Sequence, residues 1–119
     1  MSRTMLTRVA LILAIMFAVT MALLPKPPHM PIDQFGDKAG HMLAFATMAL
    51  LAALSFPTAK LFRIGERLSF LGAMIEVLQS IPSLHRDCDI HDWIADTLAI
   101  TVVLLVVWFA RRGRGARLN

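Results

Sequence analysis

Four apolar runs, punctuated by prolines and charges, fill most of this 119-residue chain, and ionisable residues sit inside them. The runs cover residues 9–24, 39–56, 68–81 and 93–110. Glu76 and Gln79 lie within the third and Asp96 within the fourth, while Asp37, Lys38 and His41 open the second. A carboxylate at membrane depth costs about 2.5 to 3.5 kcal/mol on insertion scales unless it faces protein or water. Polar residues kept at that cost mark the place where a site is expected.

With 57% hydrophobic residues, the chain is too apolar for a soluble core of this length and reads as one integral membrane domain spanning residues 1–119. A hydrocarbon core about 30 Å thick needs about 20 residues of helix. The second and fourth runs meet that length; the first and third are short, and the third must borrow from its flanks. Backbone polar groups in lipid have to be satisfied within the span, and no run alternates with period two, so all four spans are expected to be helical. The predicted fold is all-α, a four-helix transmembrane bundle with short connections and both termini cytoplasmic. Ala44, Ala49, Ala52 and Ala53 in the second span, with Gly72 and Ala73 in the third, permit close backbone approach.

The orientation follows from charge. Arg3, Arg8, Lys60, Arg63, Arg67, Arg111, Arg112, Arg114 and Arg117 fall on one side of a four-span arrangement, against Glu66. Lys26, Lys38 and Arg86 fall on the other with Asp33, Asp37, Glu76, Asp87, Asp89, Asp92 and Asp96. The first side is cytoplasmic by the positive-inside rule. The net charge of +4 is thus topological, and without base-reading signatures no nucleic-acid partner is expected. The basic tail from Arg111 suits anionic headgroups, and Trp93 and Trp108 fall near opposite ends of the last span, where aromatic belts sit. The first run follows Arg3 and Arg8 as a signal peptide would, but it ends in Leu23-Leu24-Pro25 without a small-x-small site, which favours a retained helix. Cys88 is the single cysteine, so no internal disulfide framework forms.

Pro25, Pro27, Pro28 and Pro31 break the first span from the second, Asp37 is placed to cap the second helix, and Pro57 marks its end. Thr58 to Arg67 reads as a short polar loop, Pro82 closes the third span, and Ser83 to Asp92 is an outward connection dense in acids. At about 100° per residue, Asp37, Lys38, His41, Phe45 and Met48 share one arc of the second helix. Gly72, Glu76, Gln79 and Ser83 share a face of the third, as do Asp89, Asp92, Asp96 and Ala99 of the fourth. All three faces lie toward the outward end, where they can converge.

Asp37-Lys38-x-x-His41-x-x-x-Phe45, then Glu76-x-x-Gln79, then Arg86 followed by Asp92-x-x-x-Asp96-x-x-Ala99 resembles the VanZ-like family of small membrane proteins, from about Asp37 to Ala99. That family is named for a protein of resistance to the glycopeptide antibiotic teicoplanin. The resemblance implies a multi-pass protein of the bacterial plasma membrane with a part in the cell envelope and in antibiotic resistance. It also implies that Asp37, Lys38, His41, Phe45, Glu76, Gln79, Arg86, Asp92 and Asp96 line its site. The family pattern usually has Asn at the position of Asp96 and Gly at that of Ala99. An ionised Asp only accepts hydrogen bonds, whereas Asn also donates.

Three uses of this constellation are open. A polar pocket facing the outer leaflet suits an amphiphilic envelope molecule, lipid-linked or glycopeptide-like, with membrane lipids as the surrounding partners. Glu76 and His41 could instead act as base and acid in a membrane-embedded hydrolase or transferase, although Ser80 and Ser83 are ordinary span-end serines and supply no activated nucleophile. Lastly, Lys38 and Arg86 could neutralise Glu76 and Asp92 in a purely structural network. The stretch His85-x-x-Cys88-x-x-His91, with Asp87, Asp89 and Asp92, has metal-binding residue types, but its spacing matches no standard zinc module, so neither metal nor cofactor is expected.

Overall fold

A computed structural model of the chain describes residues 2–24, 37–81 and 89–118, and their side chains except at 37, 38 and 115–118. Those residues form four helices and no strand: α1 (Arg3–Leu23), α2 (Asp37–Ser55), α3 (Leu61–Gln79) and α4 (Ile90–Leu118). The start of α1 is set by Ser2, whose side chain accepts a hydrogen bond from the Met5 N–H at 3.1 Å. This cap carries the helix N-terminal to the apolar run and gives it 21 residues.

The helix α3 begins earlier than expected. The predicted polar loop from Thr58 to Arg67 is confined to residues 56–60, and Leu61 to Arg67 form the first turns of α3. Ile64 and Leu68, one turn apart, are both 7% exposed. The polar residues between them are good helix formers on the outer side, so the amphipathic pattern overrides the local polarity. This is how the short third run borrows its flank.

At the centre is α2. Phe45, Met48, Ala49, Ala52 and Ala53 are buried, a spacing that lays one stripe along the helix. It packs against both α1 and α4, and α3 packs chiefly on α4. The α3–α4 contact is antiparallel: Gly65 approaches Leu104 and Ile100, Ser69 pairs with Thr97, Gly72 meets Trp93, and Glu76 reaches Asp89. A Cβ at Gly72 would stand 3.4 Å from Trp93 Cδ1 and 3.5 Å from Phe45 Cζ, so this glycine lets two aromatic rings onto the α3 backbone.

The helix ends segregate by charge. At one end, Arg8 Nε of α1 donates to Ser55 O at 3.1 Å and stacks over Phe56, and Arg111 of α4 donates to Ala53 O at 2.8 Å. Two cations thus cap the carbonyls where α2 ends. Lys60, Arg63 and Arg67 lie around the same end. At the other end, Ala22 meets Gln79, and Glu76, Asp89, Asp92 and Asp96 gather. The start of α1 and the later part of α4 therefore lie at the basic end of the bundle.

The helices α1 and α4, the latter over Ile90–Arg114, are long and apolar enough to cross a membrane, and Ala39–Ser55 is a shorter apolar stretch. Arg63, Glu66, Arg67 and Glu76 keep α3 less apolar. Large hydrophobics are exposed on every helix, among them Leu13, Phe17, Leu43, Leu50, Phe70, Val77, Leu98 and Val106. So many exposed large hydrophobics suit an apolar surround such as a membrane.

Candidate functional site

The acidic end is assembled by α3, α4 and the end of α1. Glu76 is 6% exposed, and its Oε2 accepts the Asp89 backbone N–H at 3.0 Å. The Asp89 side chain accepts the His91 N–H at 2.9 Å, the usual geometry of a helix N-cap, and Asp92 follows in the first turn of α4. Glu76 thereby holds the residue from which α4 starts.

Gln79 is 2% exposed and donates from Nε2 to Ala22 O at 2.9 Å. Both Glu76 and Gln79 face protein, as the cost of lipid exposure demands. The partner of Gln79 is nevertheless on α1, which the sequence pattern had left out of the convergence. The Ala22 carbonyl belongs to the last turn of α1 and has no intrahelical donor, so the amide of α3 satisfies it.

Asp96 is 3% exposed, and the carboxylates of Asp92 and Glu76 act on it through space. Asp96 Oδ1 and Gln79 Oε1 are buried acceptors with no hydrogen-bond partner among the described residues. Most buried polar side-chain atoms in folded proteins have a partner, so two orphaned acceptors at one end of a bundle require an explanation. Ala99, one turn beyond Asp96, is buried and helps line an apolar groove of about 370 Å³ between α2 and α4, with Met42, Leu43, Ala46, Leu98, Val102 and Val103.

The structure brings together Phe45, Glu76, Gln79, Asp92 and Asp96 at this end. His41 is half-buried on α2 and makes no side-chain hydrogen bond to a described residue, so it forms no hydrogen-bonded pair with Glu76. The side chains of Asp37 and Lys38, and all of Arg86, Ser83, His85, Asp87 and Cys88, lie outside the described residues. Among the described residues no three His, Cys, Asp or Glu side chains could hold a metal ion. His91 pairs with Asp89 at 2.9 Å on the exposed surface. Ser80 donates back to the Val77 carbonyl, as a span-end serine does.

Three participants were not singled out by pattern. Trp93, expected in an interfacial belt, instead donates its indole N–H to Ser69 O at 2.9 Å and packs on Gly72. Ser69 and Thr97 share a hydroxyl hydrogen bond of 2.9 Å. The spacing of Trp93, Thr97, Ile100 and Leu104 on α4 is the signal that places them on the face toward α3. Trp108 does lie exposed, with Arg112 over its ring at 5.2 Å.

No family model matches the chain, and neither a curated protein nor a solved structure matches it. The likeness to the VanZ-like family therefore rests on the polar motifs themselves.

Proposed function

We propose that this chain is a four-span protein of the bacterial plasma membrane, VanZ-like in type, whose acidic end faces outward and binds an amphiphilic envelope molecule. The basic ends of all four helices would then be cytoplasmic by the positive-inside rule. The observation that carries the binding reading is that Asp96 Oδ1 and Gln79 Oε1 are buried without a hydrogen-bond partner among the described residues, with Asp96 one turn from Ala99 in the lining of an apolar groove. The acceptors ask for N–H or O–H donors, and the surrounding carboxylates disfavour a bare phosphate. The ligand that fits has a donor-rich head, of peptide amides or sugar hydroxyls, and an acyl tail for the groove. A glycopeptide-like amphiphile has that chemistry, and binding one at the envelope would give the protein a part in drug resistance.

The direct test is native mass spectrometry of the purified protein with an acylated glycopeptide and its deacylated form. Retention of the acylated form, lost on Ala99→Phe, supports the reading; equal behaviour of both forms, or none bound, removes it.

A structural reading of the same residues also has a specific observation behind it. Glu76 and Gln79 each spend a polar atom on the backbone of another segment, Asp89 and Ala22. On that reading the polar core only sets helix register. Catalysis is less favoured, because among the described residues His41 and Glu76 share no hydrogen bond and no serine, threonine or cysteine is hydrogen-bonded to either.

A further inference from the structure

At the basic end, remote from the acidic site, a cleft of about 530 Å³ opens between α1, the end of α2 and the start of α3. Its floor is Leu11, Ala52, Ile64 and Leu68, each no more than 8% exposed. Its rim is Lys60, Arg63 and Arg67, all exposed, and no acid lines it. None of these three cations has an ion pair or side-chain hydrogen bond among the described residues, in contrast to Arg8 and Arg111, which are committed to α2 carbonyls. The first turn of α3 contains no acid, and its N-cap Lys60 makes no side-chain bond, so the helix dipole adds to the positive field at the rim.

An apolar floor under an unpaired cationic rim is complementary to one chemical class, an anion carried on a hydrocarbon chain. We infer that this cleft is a binding site for an anionic phospholipid of the inner leaflet, one acyl chain lying on the Leu11–Leu68 floor and the phosphate held by Lys60, Arg63 and Arg67. The volume falls within the range of small-molecule sites, enough for a segment of one chain. Arginine suits the phosphate because its planar fork donates to two oxygens at once. This inference rests on the membrane orientation proposed above, but not on the ligand of the acidic site.

The experiment uses the full chain in nanodiscs of phosphatidylglycerol mixed with phosphatidylcholine, with the lipids retained after detergent release counted by native mass spectrometry. The wild type is expected to retain phosphatidylglycerol in preference to phosphatidylcholine. Arg63→Gln and Arg67→Gln should each reduce that preference about fivefold, the factor that corresponds to about 1 kcal/mol per basic residue at an anionic surface. Ala59→Trp, which fills the cleft from an exposed position and leaves every charge in place, should also reduce it. Arg3→Gln removes an equal charge from the same end but from neither the cleft nor the basic tail, and should leave the preference unchanged. Equal losses from Arg3→Gln and Arg63→Gln, or no loss from Ala59→Trp, would mean general surface attraction and overturn the site. Displacement by inorganic phosphate alone would point to a free anion and overturn the lipid. Failure of the chain to enter the membrane fraction would defeat the orientation as well, whereas insertion without lipid preference defeats this inference alone.

Discussion

The Glu76 carboxylate and the Asp89 backbone N–H are 3.0 Å apart, and this bond ties the body of α3 to the residue that starts α4. Asp89 in turn caps the helix through its side chain, so a buried acid of one helix sets the origin of the next. Glu76 consequently has a scaffolding role whether or not the acidic end binds a ligand.

Removing that acceptor should loosen the start of α4. Glu76→Ala removes the carboxylate that accepts from the Asp89 N–H, a loss of about 1 to 2 kcal/mol for a part-buried bond to a charged acceptor. Glu76→Gln retains an acceptor oxygen and should cost less. Hydrogen exchange at residues 89–92 is expected to rise in the alanine variant and stay near wild type in the glutamine one. Unchanged protection in Glu76→Ala would show that the bond does not hold the helix start.

Gln79→Leu should free the last turn of α1, because the Ala22 carbonyl loses its donor. The expected destabilisation is about 1 kcal/mol, the size of an ordinary net hydrogen bond. Thermal unfolding in detergent, with protease cleavage after residue 24 as a second readout, checks it. Wild-type unfolding with wild-type cleavage would contradict the link between α1 and α3.

The contact of Phe45 and Trp93 over Gly72 sets a size limit. A methyl at position 72 meets its neighbours at 3.4 to 3.7 Å, ordinary van der Waals distance, and alanine also favours helix by about 1 kcal/mol. Gly72→Ala should therefore be near neutral. Gly72→Leu should overpack the site and destabilise the bundle by about 1 to 3 kcal/mol. Comparable melting of the two variants would mean that the helices separate easily here.

Topology is testable by thiol labelling in a Cys88→Ser background. Arg63→Cys should label only after the membrane is permeabilised, and Ile90→Cys should label from outside in intact cells. The reverse pattern would invert the orientation and place the acidic end in the cytoplasm.

Much of this was legible in the sequence because membrane energetics act on single residues. An acid or amide in an apolar run must face protein, and Glu76, Gln79 and Asp96 do so at 6%, 2% and 3% exposure. Phe45 and Met48, placed on one arc of the second helix, and Ala49, Ala52 and Ala53, named for their small size, are buried, whereas His41 of that arc and the small Ala44 are half-buried. What was not legible depends on three-dimensional neighbours. Trp93 looked like a belt residue because sequence cannot show that Gly72 opens a place for its ring. The loop from Thr58 to Arg67 looked polar because Arg63, Glu66 and Arg67 dominate its composition, while Leu61, Ile64 and Leu68 carry the helical pattern. Gln79 reaches α1 through a backbone carbonyl, and a carbonyl left open at a helix end leaves no mark in residue type.

The binding role proposed for the acidic end depends most on Asp96, whose buried Oδ1 has no hydrogen-bond partner among the described residues. The most direct measurement is glycopeptide sensitivity of cells producing wild-type protein or Asp96→Ala, with the amount of each in the membrane determined in parallel. Equal abundance is expected, with the proposed effect on sensitivity present in the wild type and lost in the variant. Equal abundance with the full effect retained would contradict the binding role.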